Sequence, residues 1–182
     1  MTVEEEAPVE TYVALLRGVN VGGRRKLPMA ELRAALTGAG FDRVRTYIQS
    51  GNVVLDADGA AEAVAADVRA VIAGRFGHTV PVVVRTAGQI AAVADADPFA
   101  GRDLDPAKVT VSFLSGPAPA LAVPAGQPEE AVAAGTEVWV YYPRGQGAST
   151  LERTAFWKPL AGLDVTARNL RTVRRLRDMA AA

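Results

Sequence analysis

Apolar and polar positions alternate along the first half of the chain in two distinct rhythms. The run Tyr12-Val-Ala-Leu-Leu-Arg17 predicts a short strand, and Met29, Leu32, Leu36 and Ala39 recur at helical spacing behind Pro28, with Gly38 and Gly40 closing that helix. Val44, Thr46 and Ile48 then alternate with Arg45, Tyr47 and Gln49, and Ser50-Gly51 makes a turn into Val53-Val-Leu55, which predicts a hairpin. Val64, Val68, Val71 and Ile72 predict a second helix, ended by Gly74 and Gly77 before a strand from Val80 to Arg85. Strand, helix, strand, strand, helix, strand is the ferredoxin-like βαββαβ order, here over residues 10–85. A right-handed crossover makes the first two strands parallel, so the loop after the first strand and the Gln49-Ser-Gly-Asn52 hairpin are expected at one edge of the sheet.

Residues 86–182 repeat this style less regularly. Thr86-Ala-Gly-Gln89 reads as a capping box opening a helix through Ile90 and Val93 that Pro98 closes, and Val109, Val111 and Phe113 alternate as a strand. Pro117, Pro119, Pro124 and Pro128 predict a surface loop, Glu137-Val-Trp-Val-Tyr-Tyr142 another strand, and Ser149-Thr-Leu-Glu152 a second capping box. The last helix is expected to start around Thr166, Arg168 and Asn169, with Leu170, Val173 and Leu176 on one stripe and Arg168, Arg171 and Arg175 on another. The expected architecture is therefore α+β: a ferredoxin-like half over 10–85 and a second, related α+β half over 86–182, able to form one compact unit.

Composition removes several classes of chemistry. The 182 residues include no cysteine, which excludes disulfides, thiolate zinc sites and thiol nucleophiles. No apolar run approaches the roughly 18 to 20 residues of a membrane span, and the acidic start Met1-Thr-Val-Glu-Glu-Glu6 is unlike a signal peptide, so no membrane association and a cytoplasmic location are expected. Abundant alanine and the excess of arginine over lysine suggest a GC-rich bacterial genome. The formal net charge of zero conceals clusters. Arg17, Arg24, Arg25, Lys26, Arg33, Arg43 and Arg45 face only Glu31 and Asp42 in their stretch, and the final helix carries many arginines, while acids collect at Glu4 to Glu6 and between Asp95 and Asp105. Such clustering predicts a bipolar surface with one face suited to an anion.

The candidate chemistry lies in the loops. Strand-to-helix connections usually need about two to six residues, and the stretch from Gly18 to Leu27 is longer, glycine-rich and basic. Its backbone amides, with Arg17, Asn20 and Lys26, could cradle a phosphate or carboxylate. Gln49, Ser50 and Asn52 are expected beside it, and Arg168 and Asn169 are further candidates, because a guanidinium near a helix start calls for a nearby anion. Neither the P-loop pattern nor the dinucleotide fingerprint is present, so no cofactor is identified. His78 is the only histidine and Asp95, Asp97, Asp103 and Asp105 lack calcium-loop spacing, so no metal site is expected. No residue set forms a complete catalytic constellation, and whether the chain is an enzyme stays open.

Five stretches carry a resemblance to a known family. Tyr12-Val-Ala-Leu-Leu-Arg-Gly-Val-Asn-Val-Gly-Gly23, Met29-Ala-Glu-Leu32 and Arg45-Thr-Tyr-Ile-Gln-Ser-Gly-Asn-Val-Val54 resemble the signature of the bacterial domain of unknown function 1697 family, and Tyr142-Pro-Arg-Gly145 and Thr166-Ala-Arg-Asn-Leu-Arg-Thr-Val173 resemble its later motifs. The resemblance implies a two-part α+β fold and brings no accepted activity. Thr150 and Leu170 stand where the family usually has lysine and tryptophan, which weakens any ligand role of those two positions here. Three functions remain: binding of, or action on, an anionic, phosphorylated or nucleotide-like small molecule; nucleic-acid binding through arginine-rich faces; and an interaction module presenting Trp139, Tyr141 or Tyr142. The sequence pI near 6.6 and the lack of stacking aromatics in Asn52-Val-Val-Leu-Asp56 lower the second.

Overall fold

The computed structural model describes residues 8–182. In the first half, β1 (Glu10–Leu16), β2 (Asp42–Tyr47), β3 (Asn52–Ala57) and β4 (Val82–Thr86) form an antiparallel sheet of order β2-β3-β1-β4, the ferredoxin-like order. Helices α1 (Met29–Gly38) and α2 (Ala61–Phe76) make the two crossovers. Their stripes Met29, Leu32, Leu36 and Val64, Val68, Ile72 pack on Tyr12, Ala14 and Leu16 of β1. Because successive strand residues face opposite ways, Val13 and Leu15 point to the other side of the same sheet.

Helix α3 (Ala87–Asp95) follows β4 directly, opened by the expected capping box: Thr86 Oγ1 accepts from the Gln89 amide and Gln89 Oε1 from the Thr86 amide. The second sheet comprises β5 (Val109–Leu114), β6 (Glu130–Ala134), β7 (Glu137–Tyr141) and β8 (Val165–Asn169) in the order β6-β7-β5-β8. This is the pairing order of the first sheet, shifted by four strands. Helix α4 (Leu170–Ala181) follows β8 as α3 follows β4. Both helices lie between the sheets, where Ile90, Val93, Leu170, Val173 and Leu176 meet Val13, Leu15 and Val83 on one side and Val111, Phe113 and Trp139 on the other.

The halves differ in their outer cover. The crossovers of the second half contain no α-helix: a proline-rich stretch joins β5 to β6, and three 3-10 turns, Gln146–Ala148, Leu151–Arg153 and Lys158–Leu160, lie between β7 and β8. Leu151, Phe156 and Leu160 nevertheless close a small core over Leu114, Val138, Val140 and Tyr142.

Several expectations change. Strand β6 has no counterpart in the pattern-based prediction, since Glu130-Ala-Val-Ala-Ala134 is an edge strand, half-exposed and alanine-rich, with little β propensity. The last helix begins at Leu170, four residues later than expected; Thr166 and Arg168 pair with Phe113 and Val111 on β8, and Asn169 is the cap, accepting from the Thr172 amide at 2.9 Å. Ser149 opens no α-helix, because its hydroxyl donates to Glu129 at 2.6 Å and accepts the Leu151 amide within a 3-10 turn. The arginines of the last helix are not a free basic face, since Arg171, Arg174 and Arg177 pair with Asp105, Asp97 and Asp95; Glu4 to Glu6, the other acidic cluster, lie outside the described residues. Trp139 and Tyr142 are core residues and Tyr141 is half-buried, which removes them as an exposed interface.

Candidate functional site

The first loop and the first hairpin meet at one sheet edge because of Gly51. Its φ is +85°, and a Cβ there would lie 2.7 Å from both Leu16 Cβ and Val19 Cγ2, so only glycine lets the hairpin come this close. The Leu16 amide donates to the Gly51 carbonyl at 2.9 Å. Asn20, itself at φ +56°, fastens the loop: its Nδ2 donates to the Gln49 and Leu27 carbonyls at 2.7 and 3.0 Å, and its Oδ1 accepts the Leu27 amide at 2.8 Å. Asn20 and Ser50 therefore belong to adjoining loops, as the strand order predicts.

Across from this edge stands Arg168, 8% exposed, in the fourth position of β8. Its Nε donates to Asn52 Oδ1 at 2.5 Å, one terminal nitrogen to Thr166 Oγ1 and the Ala167 carbonyl at 2.8 Å each, and the other to the carbonyls of Leu16, Gly51 and Ser50 at 2.7, 3.1 and 3.2 Å. The guanidinium so joins the second sheet to the loop and hairpin of the first. All its acceptors are neutral, and burial pushes its pKa down to about 10, leaving it charged at neutral pH.

Arg85 holds the corresponding place in β4 and makes the corresponding bonds. It reaches into the second half, with Nε donating to Glu137 Oε1 at 2.8 Å and its other nitrogens to the Val84, Leu114 and Thr136 carbonyls at 3.1, 2.8 and 3.3 Å. Val84, Leu114, Thr136 and Glu137 stand where Ala167, Leu16, Gly51 and Asn52 stand around Arg168. One partner changes the electrostatics. Glu137 neutralises Arg85 in a buried ion pair, with the two side chains 9% and 10% exposed, whereas Asn52 at the matching position is uncharged. A buried ion without a counter-ion is costly, so the charge on Arg168 is a property of this site and not a requirement of the frame.

The guanidinium, without a carboxylate partner among the described residues, lines a cleft of about 640 Å³ between the halves. Its lining comes from the first loop and hairpin, with Arg17, Gly18, Val19 and Ser50, from the 3-10 segment, with Gln146, Glu152 and Trp157, and from Ser112, Tyr142 and Thr166. Arg17 is exposed at the rim and makes no ion pair among the described residues. Tyr142 is 1% exposed, and its hydroxyl, without a hydrogen-bond partner among the described residues, is not one of the fully buried unpaired atoms. Burial, reinforced by Glu152 and Glu129, raises its phenol far above the usual range, so it remains a proton donor.

A family model described as "Protein of unknown function (DUF1697)" matches residues 9–140. The chain belongs to this family. No curated protein matches the sequence. Among solved structures, the conserved bacterial protein SP0830 from Streptococcus pneumoniae is similar at 21% identity and a TM-score of 0.72, with 96% of this chain and 100% of that chain covered. That likeness carries the fold: two related α+β halves, each built on an antiparallel four-stranded sheet.

The structure sorts the candidate residues of this family member into groups. Arg17, Ser50 and Arg168 line the cleft. Asn20 and Asn52 frame it, Asn52 donating to the Tyr47 carbonyl and Ser50 Oγ at 3.0 Å each as well as accepting from Arg168. Gln49 is exposed on the hairpin and gives its carbonyl to Asn20. Lys26 lies outside the lining, its carbonyl 3.2 Å from His78 Nε2, and Asn169 caps α4. Among the described residues no group of three or more His, Asp or Glu is placed to hold a metal ion, and no helix is long and apolar enough to cross a membrane. Sequence reasoning missed Tyr142, Glu152 and Trp157 as cleft residues, and the Arg85 site. A signal for the last existed: Val82-Val-Val-Arg-Thr86 and Val165-Thr-Ala-Arg-Asn169 both run from valine to an arginine and a helix-capping residue.

Proposed function

We propose that the chain binds, or acts on, a small anionic molecule, phosphorylated or nucleotide-like, in the cleft between its halves. The observation carrying this reading is the buried, uncompensated charge of Arg168 beside its neutralised twin Arg85. The donors of Arg168 are committed to protein acceptors, so it contributes field instead of contacts. Direct contacts come from Arg17 and Ser50, which line the same cleft. Low local dielectric makes such a field strong compared with that of a surface arginine. The arginines of α4 are poorer candidates for nucleic acid, since Arg171, Arg174 and Arg177 are paired with aspartates.

A thermal-shift screen of inorganic phosphate, sugar phosphates and nucleotides tests the reading, because a ligand of the folded state raises the melting temperature by mass action. Arg17→Ala should weaken the response about tenfold or more while leaving the unliganded melting temperature nearly unchanged. Asn52→Asp should abolish it by giving Arg168 the counter-charge that Arg85 has. Arg102→Ala, which removes a cation paired with Glu130 away from the cleft, should change nothing. A response insensitive to both Arg17→Ala and Asn52→Asp would place the anion elsewhere.

A further inference from the structure

Resting on the reading above, we infer that the cleft ligand is a hydroxyl-bearing phosphate, of the sugar-phosphate class, with its anionic group toward Arg17 and its hydroxyls toward Tyr142 and Glu152. The cleft, at about 640 Å³, is far roomier than a bare phosphate needs and falls in the usual range for small organic ligands. Its lining is chemically uneven. Arg17 belongs to the first loop, with Arg168 bonded beneath that loop and hairpin, while Glu152 adds a carboxylate from the 3-10 segment. A ligand anionic throughout would be repelled there.

Glu152, exposed in the lining, can accept hydrogen bonds from a ligand, and Tyr142, whose hydroxyl makes no hydrogen bond among the described residues, can donate one. Hydroxyl groups serve both, each donating one hydrogen bond and accepting others. An ammonium group satisfies Glu152 alone, since it has no acceptor for the phenol. Gln146, exposed in the same segment, adds a further donor and acceptor suited to sugar hydroxyls.

Isothermal titration of wild type with inorganic phosphate, ribose 5-phosphate and 2-aminoethyl phosphate tests this assignment. Ribose 5-phosphate should bind at least about tenfold more tightly than inorganic phosphate, the gain expected of one or two net hydrogen bonds. Glu152→Gln, a change at an exposed position, should reduce the ratio of ribose 5-phosphate to inorganic phosphate affinity about fivefold. Tyr142→Phe, checked for folding by its melting temperature, should do the same. Equal affinity for inorganic phosphate and ribose 5-phosphate would overturn the hydroxyl assignment and leave the anion site standing. Preferential binding of 2-aminoethyl phosphate, lost in Glu152→Gln, would replace hydroxyls by an ammonium. Absence of binding by all three probes at millimolar concentration would reject both this inference and the reading beneath it.

Discussion

Arg85 and Arg168 occupy the same place in two related sheets, leave the strand at the same step before a helix cap, and bond to matching carbonyls of the opposite half. They differ in whether the Nε partner carries charge: Glu137 for one, Asn52 for the other. The Arg85 arrangement shows that the frame can neutralise such an arginine. Leaving Arg168 without a carboxylate therefore keeps a positive field where the cleft opens, at a cost in folding free energy. Of the two junctions, one neutralises its buried arginine and the other leaves it charged beside the cleft where the proposed anion would sit.

The largest expected effect sets the two partners against each other. Glu137→Ala leaves Arg85 buried without its counter-ion and should cost about 3 to 5 kcal/mol in urea unfolding. Asn52→Ala removes the matching acceptor from Arg168 and should cost less, about 1 to 3 kcal/mol, because no ion pair is broken. Equal costs would mean that the junctions are energetically alike and that the charge difference carries no information.

A smaller contrast concerns the hairpins beneath the arginines. Gly51→Ala forces a Cβ against Leu16 and Val19 at positive φ and should destabilise by about 2 to 3 kcal/mol. Thr136→Ala, at the matching position in the second half, loses only the hydroxyl's 2.8 Å bond to Glu137 and should cost about 1 kcal/mol. Denaturation midpoints of the two variants decide whether the close approach is peculiar to the hairpin beside the cleft.

The smallest effect is alkaline. Burial raises the phenols of both Tyr12 and Tyr142, with Glu10 adding to the first and Glu152 and Glu129 to the second. The folded state then retains protons that the unfolded chain releases near pH about 10, so stability is full below that value and falls as pH rises through it. Tyr142→Phe should flatten this loss more than Tyr12→Phe, because the Tyr142 phenol is displaced further. Melting temperatures at neutral pH and near pH about 10.5 measure it; an equal effect would make the two tyrosines equivalent environments.

The first half was legible because its helices and strands carry strong periodic stripes and its turns carry glycine, as at Gly40, Gly51 and Gly77. The order of those elements also placed the Asn20 loop beside the Ser50 turn. The second half was less so. Val165 to Asn169 is a five-residue strand running without a break into an arginine-rich helix, so its alternation reads as the helix start. Half of the site was hidden for a different reason: Arg168 and Asn52 are 116 positions apart, and Tyr142 and Trp157 reach the cleft through turns with no regular period.

Those turns have a consequence for how such a protein diversifies. The outer face of the first sheet is covered by two helices whose every residue answers to a hydrogen-bond ladder, so lengthening either one shifts its apolar stripe off the core. The cover of the second sheet is anchored at Leu151, Phe156 and Leu160 and is held otherwise by short 3-10 turns whose hydrogen bonds are each local. Residues between these anchors can be exchanged, inserted or removed while both sheets keep their register. The part of the cleft lining that these turns supply is thus the one that sequence drift can remodel at least expense, while Arg168 stays fixed by six acceptors.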